Sequence, residues 1–529
     1  MSKFKMAAVF SDNCVLQRNK QIAVFGEGAD GAKVTVSLLV PGKNLQSVET
    51  TVKEGRWLAY LPSQEATYGC SLSAASEGET ITFKDIAIGE VWLCGGQSNM
   101  EFELQNCSTG KEHLENDKPN VRFYYTPKNP YFDEQFFKDE AASHWKKFSE
   151  EDAKDWSAVG YIFGKKLSEK LGVTVGLLGC NWGGTSASCW MSKEALLEDE
   201  DTKTYWDDFA ALNVGKSEEE QVREYDAYKV REAIWNEKCA AIYTANPQAD
   251  WGEVQKEIGI CEWPGPMNCK NPFRPVGLYE HMLKRVEPYS LRGWLFYQGE
   301  SDDHKPGYYY KLYKRMLKQW RDDWKDETIP MLYVQLPGMR YANEEDKKHW
   351  CLIREAQQKI SDEEKYSTMA CTIECGTLND IHPKDKEPIG DRLYRVALSD
   401  VYGLMPECEA KSPELLLAEF AEGACIVKLR FADGGLKING ESIEGFELAG
   451  EDREFKPAEA AILEDGKSLK VVSAEVKEPK YVRYLWTNYP SKVTLFSAYG
   501  LPVAPFRSSE DDQENIMVRK MEFQQQLEL

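Results

Sequence analysis

Histidine is scarce in this chain: 529 residues hold six, His113, His144, His281, His304, His349 and His382. Any chemistry that needs an imidazole must draw on those six. Metal-ligand spacing is lacking too. The 14 cysteines include no Cys-x-x-Cys, and the closest spaced pair after Cys371 is Cys375. That excludes the usual zinc modules, and no cofactor or metal is expected. Without a secretory leader the cysteines read as reduced core thiols rather than a disulfide framework. No apolar run reaches the roughly 18 residues a membrane helix needs. The start is apolar only briefly before Ser11-Asp12-Asn13 interrupts it, so a cytoplasmic protein with no membrane partner is expected. Basic residues are in deficit, 65 against 87 acidic ones, for a net charge of −22. Such a surface repels phosphate backbones, so nucleic acid is excluded as a partner. Neutral sugars are indifferent to that charge, whereas an acidic ligand needs a local basic pocket. Nothing in the sequence fixes the oligomeric state.

What is present centres on Val91-Trp92-Leu93-Cys94-Gly95-Gly96-Gln97-Ser98-Asn99-Met100. Four apolar residues predict a buried strand, two glycines a tight turn, and the residues after Ser98 the start of a helix. A hydroxyl at a strand-to-helix turn lies beside free N–H groups, where a developing oxyanion is stabilised. The spacing lacks the second glycine of a Gly-x-Ser-x-Gly elbow, which argues against an α/β-hydrolase. Ser98 reads equally as a helix cap.

The length implies several domains. Residues 1–88 carry short alternating strands, as in a small β-sandwich. From 89 to 404 strands alternate with helices, which predicts a parallel sheet covered by helices. The helix near 157–171 repeats Val159, Phe163, Leu167 and Leu171 before Gly172. An insertion at about 194–272 reads either as a wall of a pocket or as a solvated helical excursion. Residues 405–507 return to β, and 508–529 form a charged, glutamine-rich tail.

Loops bearing Ser98, Gly183, Gln298 and His382 each follow an expected strand. In an open parallel sheet such loops converge on one crevice. Acyl transfer then assigns roles: Ser98 as nucleophile, His382 as base and acid, Asp380 as its orienting carboxylate. The backbone N–H groups of Ser98 and Gly183 and the Gln298 amide are the candidate oxyanion donors. Each has a plainer reading. Gly183 serves equally as a turn glycine, Gln298 as a cap, His382 as a loop histidine, and Glu300 either as a structural carboxylate or as a rival to Asp380.

Gly96-Gln97-Ser98-Asn99-Met100, Trp182-Gly183-Gly184-Thr185, Tyr297-Gln298-Gly299-Glu300-Ser301 and Asp380-Ile381-His382-Pro383-Lys384 occur in the order of a known family. Together they resemble the sialate O-acetylesterase-like carbohydrate esterases of the SGNH hydrolase superfamily. Phe10 to Gln17 and Ala504 to Arg507 resemble that family's ends. The resemblance implies a flavodoxin-like three-layer SGNH hydrolase core with flanking β-sandwich-like domains. It also implies a metal-free serine esterase that removes acetyl groups from sugar hydroxyls. Ser98 and His382 match directly. The superfamily's acid stands three residues before the histidine, where this chain has Asn379, so Asp380 is one residue out of step and Glu300 is the alternative acid. Acetylated sialic acid is the leading expected substrate, acetylated hemicellulose oligosaccharides the alternative. A carbohydrate-binding protein with a lapsed site is the reading from another class.

Overall fold

The structure is a computed structural model that describes residues 4–246, 251–260 and 262–509. Most of the expected tail, 510–529, lies outside the described residues. The chain is mixed α/β, and one strand, Glu79–Gly96, joins its two kinds of sheet. Its first half alternates exposed and half-buried positions, as Thr80-Ile81-Thr82-Phe83 does in sequence. From Ile86 to Gly96 every residue is buried. Alternation suits a strand with one wet face, and a continuous apolar run suits one covered on both. The boundary expected at 88/89 therefore falls in the middle of a strand.

The first half pairs antiparallel with Thr67–Ser76, which pairs with Lys33–Leu39 and through it with Gln46–Thr51. A separate three-stranded sheet joins Lys5–Met6, Ile22–Glu27 and Arg56–Leu61. The second half is the centre of a parallel sheet. Its strands run in the order Val121–Tyr125, Val175–Asn181, Glu79–Gly96, Gly293–Tyr297, Met331–Val334 and Ser367–Ala370. Val121–Tyr125 was not anticipated from the sequence. It is the last parallel strand on its side, flanked only by the short antiparallel Lys146–Lys147, and it carries a buried arginine, Arg122, whose guanidinium donates to the carbonyls of Asn13 and Asp85 at 2.9 and 2.5 Å.

Helices cover both faces, and the alternation within the central strand shows how. Trp92 and Cys94 face the helix Ala158–Leu171: Trp92 meets Phe163 edge-on at 5.1 Å, and a Cβ on Gly160 would lie 2.9 Å from the Cys94 sulfur. Leu93 and Gly95 face the other way, where Trp320 of the helix Tyr309–Trp324 packs against Trp294 and Phe296 of the neighbouring strand. The first helix starts where Ser157 Oγ accepts from the Gly160 amide at 3.1 Å, and stops at Gly172 with φ 66°. That glycine escapes the steric penalty of left-handed backbone.

The expected insertion consists of the helices Lys193–Leu197, Glu200–Leu212, Glu218–Ala245 and Trp251–Ile258. Ser217 and Glu220 form a reciprocal capping box on the third, as their spacing predicts. That helix buries only Tyr225 and Tyr228, so most of it is solvated. The C-terminal residues build a seven-stranded antiparallel sheet from Glu414–Ala421 to Phe506–Arg507. All described cysteines are free thiols.

Glu90 ties the N-terminal segment to the parallel sheet. Its fully buried carboxylate accepts from Arg18 at 2.5 Å, Arg292 at 2.7 Å and Gln17 at 3.2 Å. Burial pushes this carboxyl up, but Arg292 and Arg18 outweigh it and hold the group below the ordinary glutamate value. Replacing Glu90 leaves two partly buried guanidinium groups without their anion, at a cost of about 3 kcal/mol. A depressed carboxyl stabilises the fold above its unfolded-state pKa, and that contribution is lost as pH falls through the folded-state value. Glu90→Gln is expected to melt well below wild type at pH 7, with the gap closing in acid; thermal melts at pH 7 and pH 3.5 check this.

Candidate active site

The central parallel strand ends at Gly96, where φ is 126° and an added Cβ would lie 2.1 Å from the Tyr297 carbonyl oxygen. Glycine is required twice over, by the backbone angle and by the approach of the next strand. The chain then turns, and Ser98 becomes the first residue of a four-residue helix, Ser98–Glu101. Ser98 is half-buried, and its Oγ lies 2.8 Å from Nε2 of His382, 284 residues later. The amides of Ser98 and Asn99 make no hydrogen bond among the described residues, so two N–H donors flank the hydroxyl.

The acids expected beside His382 are placed otherwise. Asp380 Oδ1 accepts from the backbone amide of His382 at 2.9 Å, a local turn of the kind Asp favours. Among the described residues no carboxylate hydrogen bonds to the imidazole. Asn379 adopts φ 66° and its Oδ1 accepts from the Ala342 amide at 2.7 Å, which pins a neighbouring loop. Glu300 is buried, and its Oε1 accepts from Asn99 Nδ2 at 2.6 Å.

Asn99 joins residues that the sequence reading left without a role. Its Nδ2 also donates to the Ile381 carbonyl at 3.0 Å, and its Oδ1 accepts from Lys386 Nζ at 2.6 Å. The Ser98 turn is thereby bonded to the His382 loop. The motif contained Asn99, but nothing in the spacing showed that a lysine four residues past His382 would be fully buried against it.

Two of the three candidate oxyanion donors are already engaged. The Gly183 amide donates to Glu101, whose other oxygen pairs with Lys128. Gly183 still lies against Ser98, since a Cβ on it would sit 3.1 Å from that of Ser98. Gln298 is buried, and its Nε2 donates to Asp302 at 2.6 Å, with Thr185 and Gln97 oxygens at 3.2 and 3.3 Å. Asp302 also accepts from Ser186 Oγ at 2.6 Å and the Ala187 amide at 2.9 Å. Gln298 and Asp302 therefore brace the Gly183 loop against the strand end. Sequence reasoning missed Glu101 and Asp302, because their partners come from loops far away in the chain.

Burial, and then the nearby Lys386 charge, hold the His382 imidazole below its ordinary value of 6.5, while Asp380 and Glu101 oppose the shift. The ring is thus neutral at pH 7 and its Nε2 can accept a proton.

Known proteins resemble the chain that carries this arrangement. The family model described as carbohydrate esterase, sialic acid-specific acetylesterase, matches residues 262–387. The sialate O-acetylesterase of Mus musculus is 23% identical, with 95% of this chain and 94% of that protein aligned. The enzyme of the same name from Rattus norvegicus is 22% identical over similar shares. Among solved structures, a carbohydrate acetylesterase from Xanthomonas citri superposes with a TM-score of 0.73 at 26% identity, covering 96% of this chain and 99% of that one. The chain is a sialate O-acetylesterase-like carbohydrate esterase.

In this esterase a cavity of about 440 Å³ opens beside the Ser98 turn, walled by Glu101, Glu103, Asp139, Asp155 and Lys128. A larger cavity, about 1400 Å³, lies away from Ser98 between N-terminal strands and the residues around Arg285. A donor that only met an oxyanion would affect rate alone. Because Gln298 also braces two loops, Gln298→Ala is expected to lower stability by about 2 kcal/mol as well as turnover, through the lost hydrogen bond to the buried Asp302 carboxylate. Denaturant unfolding measured beside kcat checks this.

Proposed function

We propose that this esterase removes O-acetyl groups from sugars through an acetyl-enzyme on Ser98. The contact of 2.8 Å between Ser98 Oγ and the neutral His382 Nε2 carries the reading. Ser98 Oγ attacks the acetyl carbonyl while His382 takes its proton. The tetrahedral oxyanion meets the free amides of Ser98 and Asn99, and that of Gly183 once the Glu101 carboxylate moves aside. Collapse breaks the bond to the sugar oxygen, and His382 returns the proton to that leaving alkoxide. A water, deprotonated by the same imidazole, then attacks the acetyl-enzyme and releases acetate.

We assign residues 89–404 to a flavodoxin-like SGNH hydrolase core, with residues 1–88 and 405–507 as flanking β domains. With the outermost parallel strand Val121–Tyr125 left out, the five other parallel strands follow the chain order 2-1-3-4-5, which supports a flavodoxin-like core. The superfamily's usual acid is missing from Asn379, so the site acts as a serine–histidine pair with Asp380 shaping the loop.

The names of the curated relatives favour an O-acetylated sialic acid as substrate. The cavity bordered by Glu101, at the far end of the short Ser98–Glu101 helix, favours a second reading, a neutral acetylated oligosaccharide. Its four carboxylates outnumber the single lysine, which is itself paired, and like charges disfavour an anionic sugar. Acetate release from 4-nitrophenyl acetate, from 9-O-acetylated sialic acid and from acetylated xylo-oligosaccharides tests both. Wild type is expected to turn over the aryl ester and at least one sugar, and Ser98→Ala to lose roughly a millionfold in kcat. Equal activity in the two proteins removes Ser98 from the mechanism.

A further inference from the structure

Lys386 is fully buried four residues beyond His382, at the cap position that opens the helix Glu387–Val396. A buried ammonium is uncommon and costs several kcal/mol unless partners compensate it. The partners here are specific. Nζ donates to Asn99 Oδ1 at 2.6 Å and stands over the rings of Phe102 and Tyr297 at 4.6 and 5.7 Å. Lysine only donates, so the Asn99 oxygen must face it, and the Asn99 nitrogen is then aimed at two acceptors, Glu300 Oε1 and the Ile381 carbonyl. The orientation of this amide is fixed by its partners on all sides. One end of the relay is adjacent to the nucleophile Ser98, the other to the base His382.

We infer that Lys386 is a positioning residue of this esterase: through Asn99 it fixes the His382 loop against the Ser98 turn, and its charge faces the imidazole that takes the Ser98 proton. The inference rests on the proposed roles of Ser98 and His382. The charged and titratable groups facing Lys386 are Glu300, Asp380 and the thiols of Cys107 and Cys375; those facing His382 are Lys386, Asp380 and Glu101. Burial brings Lys386 down to about 8, which leaves it cationic at pH 7. Of the charged groups facing the imidazole, Lys386 alone is a cation. Remove it, and burial alone opposes Asp380 and Glu101, which stabilise imidazolium.

The test is the pH profile of kcat/KM for 4-nitrophenyl acetate in wild type, Lys386→Met and Lys386→Arg, with Ser98→Ala and His382→Ala alongside. Lys386→Met is expected to lower kcat roughly 10- to 100-fold with KM little changed, and to move the acid limb upward by about 0.5 pH unit or more. Lys386→Arg keeps the charge and is expected to leave the limb in place. A rate loss in Lys386→Met with the limb unmoved overturns the inference and leaves a merely structural lysine. Full activity in both Ser98→Ala and His382→Ala instead overturns the reading on which it rests. Should Lys386→Met fail to fold, Lys386→Gln decides, since it also lacks the charge but keeps a donor: an acid limb moved upward is expected, and an unmoved limb overturns the inference.

Discussion

The approach of the Gly96 backbone to the Tyr297 carbonyl is the constraint on which the rest depends. Two neighbouring parallel strands come so close at their ends that no side chain fits between them. The chain must leave the sheet there in a conformation that favours glycine, and the next turn sets Ser98 at the sheet's edge with its amide free. Gln97 continues the same junction: its Oε1 accepts from the Ser301 amide at 3.2 Å and from Gln298 at 3.3 Å. Backbone packing, rather than any property of the serine, makes this hydroxyl accessible.

Polar groups buried behind the hydroxyl do what an apolar core cannot. Apolar packing is non-directional and tolerates small shifts, whereas an amide held by a cation, a carboxylate and a carbonyl has one satisfactory arrangement. Asn99 and Asp302 each join two loops in this way, one to the His382 loop and one to the Gly183 loop. Burying Lys386, Glu300 and Asp302 costs stability. The compensation is a site whose parts come from four strand ends yet meet within hydrogen-bonding distance. Burial also pushes the Glu300 carboxyl up, with the Asn99 amide pulling against it, so the network's charge state is set by its own geometry.

Much of the parallel sheet and its helices was legible in the sequence because their signals are local. Leu167 and Leu171 repeat at helical spacing, Ser157 and Gly172 bound that helix, and the apolar run to Cys94 announces a strand covered on both faces. Val121–Tyr125 was missed because Arg122 interrupts its apolar run, and only the carbonyls of Asn13 and Asp85 explain how that charge is accommodated. The placement of Asp380 was not legible either. Its spacing from His382 suits a carboxylate on the imidazole and equally an Asp that bonds the backbone two residues on, and the sequence does not choose between them.

The sequence by itself determined the residue chemistry available: few histidines, an acidic surface, a glycine turn before a serine, and a histidine on a late loop. It determined the periodicities that make strands and helices, since these depend on neighbours within a few residues. Only the tertiary structure decided that Ser98 and His382 touch, that Gly183 faces Glu101, and that Lys386 is buried against Asn99. Those contacts join residues from 82 to 287 positions apart. Over such separations no local pattern records a distance, and the sheet's strand order alone brings the partners together.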